Sequence, residues 1–156
     1  MSISIEKAMQ LVQAAHAEAE SIDLAVTAVV VDESGRLVAL GRMDGARPIS
    51  VDIATNKAYT AASFKQPTQE LSGVAGQAWF QSLIVSSNGK VTAGGGAIPL
   101  EDGGALAVAG GTDEQDHRCA EAAGSGRGPG SWRTAGRGRS TRARGNRGAR
   151  SASQQI

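Results

Sequence analysis

Aromatic side chains are nearly missing from this chain, whose 156 residues include two Trp, two Phe and one Tyr. A core without rings has to be assembled from Val, Ile, Leu and many Ala. Their small size lets neighbouring elements approach closely, and it leaves room for a ligand or a partner subunit. Cysteine occurs once, as Cys119, which excludes an internal disulfide and makes a reducing compartment the simpler setting. No apolar stretch reaches the roughly 20 residues a membrane helix requires. The opening MSISIEKAMQ lacks a basic segment followed by a long apolar run, so no secretory signal is visible. These absences lead to the expectation of a soluble, cytoplasmic chain with one domain large enough to bury a core.

Acidic residues are absent beyond Glu121. Residues 1–123 carry fifteen acids against eight Lys and Arg, a formal charge of −7, whereas 124–156 carry eight Arg and no acid, +8. So sharp a change marks a boundary between a domain over 1–123 and a tail over 124–156. The tail has eight Gly and no hydrophobic periodicity, so it lacks the apolar surface to offset the cost of ordering, and disorder is expected. Its abrupt onset is that of a GC-rich gene read in a shifted frame. The alternative is a basic arm for nucleic acid, which nothing in 1–123 otherwise suggests.

Within 1–123 the pattern is regular. Ile5, Ala8, Val12, Ala15, Ala19 and Ile22 recur at three- and four-residue steps, which predicts an amphipathic helix over 4–21 with His16 at the edge of its apolar stripe. LAVTAVVV at 24–31 reads as a strand buried on both faces, and DESG closes a hairpin into a second strand over 36–43, with Leu37, Ala39 and Met43 on one face. Pro48 suits the first turn of a helix over 49–63, and Pro67 opens a short helical stretch to about Leu71. The apolar run 79–86 is compatible with a strand or with a short helix feeding one, and Asn88-Gly89 with a hairpin turn.

The most informative stretch is 94–122, GGGAIPLEDGGALAVAGGTDEQDHRCAEA. Two short apolar runs flank Asp102-Gly103, a hairpin signal, and Gly110-Gly111 turn the chain where side chains would obstruct it. Thr112 lies three residues before Gln115, the capping-box spacing, and Asp113, Glu114 and Asp116 load the positive end of the helix dipole. The sum is an α+β sandwich with about five mainly antiparallel strands flanked by helices.

Three pieces carry a family resemblance: AVVVDESGRLVALGRMDGA at 28–46, DIATNKAYTAASFKQPT at 52–68, and the stretch 94–122. In order and spacing they resemble the GlcG/HbpS-like haem-binding family, which includes the C-terminal domain of PduO. The resemblance implies a profilin-like fold and homo-oligomers, from dimer to octamer. It also implies a haem or related tetrapyrrole ligand in some members, with storage, sensing or redox roles. Beyond Gly124 the chain departs from the family pattern, in which the last helix continues.

Candidate site residues follow from both lines. An imidazole on an apolar face suits an axial haem ligand, and His16 is similar in position to a first-helix histidine that ligates haem in some members. A hydrogen-bonded helix-edge histidine is the plainer structural role. Gly110, Gly111 and Thr112 form a corner a flat ligand could approach, though capping already accounts for Thr112. Arg42, Asp44 and Lys57 match family-pattern charges that suit haem propionates, a substrate carboxylate or a structural ion pair. Tyr59 and Phe64 could stack on a macrocycle or fill core. His117 and Cys119, two apart on a helix, point away from each other and cannot share one ion. An alternative function is a small-molecule enzyme or operon accessory protein of lyase, isomerase or oxidase type, with Lys57, Asp44 and His16 as acid–base groups; a further one is a structural subunit without ligand.

Overall fold

The computed structural model describes residues 2–126. Helix α1 (Ile5–Glu20) leads into strands β1 (Thr27–Val31) and β2 (Leu37–Arg42), then α2 (Ser50–Phe64), a 3₁₀ segment (Thr68–Val74) and α3 (Ala78–Ser86). Strands β3 (Ala97–Pro99) and β4 (Ala105–Ala109) form the second hairpin, and α4 (Asp113–Gly124) closes the described chain. The expectations for the basic tail lie, from residue 127 onward, outside the described residues.

Strand order is β2-β1-β4-β3, antiparallel throughout. The fold is thus α+β as expected, with four strands rather than about five. The difference lies at 78–86, which is helical. Phe80 and Ile84, one turn apart, face a small cluster with Leu71 and Val91, and that packing decides the period where the apolar run alone does not. Asn88-Gly89 is a helix stop, not a hairpin. Both residues have positive φ, 54° and 77°, and the Gly89 amide returns to the Ile84 carbonyl at 2.8 Å, closing the last turn.

Every residue of β1 is buried, because helices cover both faces of the sheet. Val26, Ala28 and Val30 join α1 and α4 through Ala8, Val12, Ala15, Ala19, Ala120 and Ala123. Val29 and Val31 join Ala54, Ala58, Ala61 and Ala62 of α2 together with Ala97, Ala105 and Ala107. Alanine on helix and sheet alike is how a chain poor in rings fills this layer. The few rings gather elsewhere, since Tyr59 and Phe64 pack beside Phe80 in the third cluster. A register shift between Val30 and Val31 pairs Val30 with Ala39 but Val31 with Leu37. This bulge turns Leu37 from the expected face with Ala39 to the α2 side, where it is 56% exposed.

Caps appear where the sequence places them. The Ser4 hydroxyl accepts from the Lys7 amide at 3.2 Å. The Thr112–Gln115 box is complete, with Gln115 N to Thr112 Oγ1 at 3.2 Å and Thr112 N to Gln115 Oε1 at 2.9 Å. No helix among the described residues is long and apolar enough to cross a membrane.

Candidate functional site

One end of the sheet collects most of the candidate residues. Arg42, Thr27 and Ala109 are register partners across β2, β1 and β4, so the strand ends leading to Asp44 and to Gly110-Gly111-Thr112 lie at the same end of the sheet, with β1 between them. Thr27 is joined to the start of α2 by a 2.7 Å hydroxyl–hydroxyl bond to Ser50. Arg42, Asp44 and Thr112 are exposed there.

Lys57 is the exception, being 4% exposed. Its Nζ donates to the Gly95 carbonyl at 2.6 Å and to Asp113 Oδ1 at 3.3 Å, and it lies 3.8 Å from Asp116 Oδ2. Asp116 is buried and accepts from the Gly111 amide at 2.8 Å and the Gly110 amide at 3.3 Å. One carboxylate therefore fixes the glycine corner and faces the buried ammonium. Burial pushes the Asp116 carboxyl above its ordinary value; the amide bonds and the Lys57 charge oppose this but do not cancel it. Beside the pair opens a cavity of about 290 Å³, whose lining includes Arg47, Ser50, Ile53, Lys57, Gly111 and Asp116.

His16 lies two strands away, on the α1 side of β2. Its Nε2 is 2.9 Å from the Gly41 carbonyl, which only accepts, so Nε2 carries the proton. In the neutral ring Nδ1 then keeps its lone pair. Gly41 is what allows this approach. A Cβ there would stand 2.7 Å from His16 Cε1 and 2.8 Å from Val12 Cγ1. A ring held through one N–H with the other nitrogen open is the arrangement in which second-shell carbonyls fix metal-binding histidines.

The candidates are thus not one constellation. His16 packs from the α1 side and Lys57 reaches the β4–β3 edge from α2, with β1 between them. Tyr59 stands against Gly35 at the opposite end of the sheet, and Phe64 lies 6.3 Å from the Phe80 ring. Arg47 and Asp113, which line the Lys57 cavity, were not singled out as site residues from sequence, and neither were Asp116 and Gly41. Asp116, assigned to the helix dipole, sits in phase with Cys119, Ala120 and Ala123, so an acid on the apolar stripe was the available signal. Gly41 gave none, since its role depends on the neighbouring helix.

The family model described as "Haem degrading protein HbpS-like" matches residues 3–125. The chain belongs to the HbpS-like family. Among HbpS-like relatives, an uncharacterized 15.0 kDa protein of the dhaT–dhaS intergenic region of Citrobacter freundii is 37% identical over 127 residues, covering 78% of this chain and 89% of that one. The corrinoid adenosyltransferase PduO of Citrobacter freundii is 38% identical over 128 residues, covering 79% of this chain but only 38% of PduO. A solved PduOC:heme complex superposes with TM-score 0.74 at 34% identity, covering 80% of this chain and 94% of that one.

Proposed function

We propose that this HbpS-like chain binds haem or a related tetrapyrrole, with His16 as an axial ligand, in a homo-oligomer between dimer and octamer. The observation that carries the reading is the His16 ring, whose Nε2–H is held by the Gly41 carbonyl, leaving Nδ1 with a lone pair and no hydrogen-bond partner among the described residues. A similar domain in complex with haem supports the ligand class. Arg42 and Arg47, exposed at the same end of the sheet, suit propionates. Gly110, Gly111 and Thr112 offer a low-profile corner beside them. Bound haem would supply iron redox chemistry for storage, sensing or degradation, while the chain's own part is to hold and orient the group. Exposed Trp79 and Leu83, one turn apart on α3 and 48% and 37% exposed, offer an apolar strip on which copies could meet.

Haem titrated into the purified chain should produce a saturable Soret shift; a spectrum equal to that of free haem at every ratio would overturn the reading. An enzyme is the second reading, favoured by the buried Lys57–Asp116 pair beside a cavity of about 290 Å³. Its acid–base groups would be Lys57, Asp113 and Asp116, because Asp44 and His16 do not line that cavity.

A further inference from the structure

A second cavity, of about 380 Å³, lies at the opposite end of the sheet from the Lys57 pair. Its walls come from the β1–β2 loop (Gly35, Arg36), the first residue of β2 (Leu37), one face of α2 (Asn56, Tyr59) and Lys90 beyond α3. The wall is built rather than incidental. Gly35 has φ +73°, and a Cβ there would lie 2.7 Å from Tyr59 Cδ2. Only glycine lets the loop take this turn and lets the ring close against it.

The charges around this cavity are one-sided. No carboxylate lines it. Neither Arg36 nor Lys90 makes an ion pair among the described residues, and Lys90 Nζ instead stands 5.8 Å from the Tyr59 ring centroid. Of the two loop acids, Asp32 and Glu33, neither lines the cavity, and Asp32 is engaged by the amides of Ser34 and Arg36 at 2.8 and 3.0 Å. Asp32 thus holds the loop, and neither acid pairs with the Arg36 guanidinium. Asn56 and Tyr59 also line the space, and neither the Asn56 amide nor the Tyr59 hydroxyl has a hydrogen-bond partner among the described residues. Leu37, turned to this side by the bulge and 56% exposed, adds an apolar surface next to the ring. The volume lies within the ordinary range for small-ligand pockets.

We propose that this cavity binds a small organic anion, a phosphate monoester or carboxylate carrying a compact apolar body. Arg36 and Lys90 take the anionic group, Asn56 and the Tyr59 hydroxyl orient it, and Tyr59 with Leu37 takes the apolar body. The site is separate from the His16 surface and does not depend on haem. Guanidinium and ammonium together favour a doubly charged oxyanion, since one offers a planar fork and the other a point charge.

The test titrates the full chain, free of haem, with phenyl phosphate, benzoate, inorganic phosphate and benzyl alcohol, following amide and side-chain shifts by NMR. Saturable shifts at Gly35, Asn56 and Lys90 are expected with phenyl phosphate or benzoate, and which of the two binds more tightly separates phosphate from carboxylate. Inorganic phosphate should bind at least ten-fold more weakly, and benzyl alcohol not at all. Arg36→Ala and Lys90→Ala alter exposed side chains, so both variants should fold, and each should weaken binding ten-fold or more. The proposal is overturned if neither organic anion binds, if benzyl alcohol binds equally well, if both variants bind like the parent, or if the shifts centre on Lys57 instead.

Discussion

Replacing Lys57 by Met removes the buried ammonium and keeps most of the side-chain volume. The bond lost is charge-assisted, from Nζ to the Gly95 carbonyl at 2.6 Å, and bonds of that kind contribute about 1.5–3 kcal/mol. Asp113 is two-thirds exposed, so its share is small, between about 0 and 1 kcal/mol. Asp116 adds a pH-dependent part. Its folded pKa already lies above the ordinary 3.8 because of burial, and Lys57 is one of the influences holding it down. A carboxyl raised on folding gives stability that is fully present below its unfolded pKa and is lost as pH rises through the folded one. Without Lys57 the folded value climbs further, so the variant loses more over a wider window. The expected gap between parent and Lys57→Met is therefore about 2 kcal/mol near pH 4. It should widen toward neutrality by about 1.4 kcal/mol for each unit by which Asp116 moves. Urea unfolding of both proteins from pH 4 to 8 reads this directly, and a gap that stays flat or narrows with rising pH would refute the reasoning.

Other expectations follow from the same geometry. Gly41→Ala drives a methyl into His16 and Val12; it should cost about 1–3 kcal/mol and move the imidazole off the Gly41 carbonyl, visible as a changed His16 ring signal, whereas an unchanged signal and melting point would contradict the contact. Cys119 is buried, and burial followed by the charges of Glu18 and Asp116 pushes its thiol up to about 12. A thiol reagent at pH 8 should label it only as fast as the chain opens, so prompt labelling of folded protein would be the adverse result. Phe80→Ala, at a fully buried ring, should cost about 3–5 kcal/mol. Hydrogen exchange should place the loosening in 68–91 and leave β1 protected; equal loss across the sheet would show that the third cluster is not a separate unit.

Where local chemistry decides the outcome, the sequence was readable. Ser4 and the Thr112–Gln115 box start their helices as their spacing implies, and Asp102-Gly103 turns β3 into β4. Where a distant partner decides, it was not. The run 78–86 becomes a helix because Phe80 and Ile84 find Leu71 and Val91, and the bulge that rotates Leu37 is a property of strand pairing, not of Leu37. The site shows the same division. His16 was recognisable as an imidazole at the edge of an apolar stripe, but the carbonyl that orients it belongs to Gly41 on another element. Asp116 looked like one of three acids at a helix start until its burial against Lys57 and the two glycine amides set it apart.

The most direct measurement is a haem titration of the purified chain and of His16→Ala side by side, followed in the Soret region at equal oligomeric state. Axial ligation by His16 predicts a saturable low-spin spectrum for the parent and its loss in the variant. A spectrum from His16→Ala that matches the parent at every ratio would contradict it.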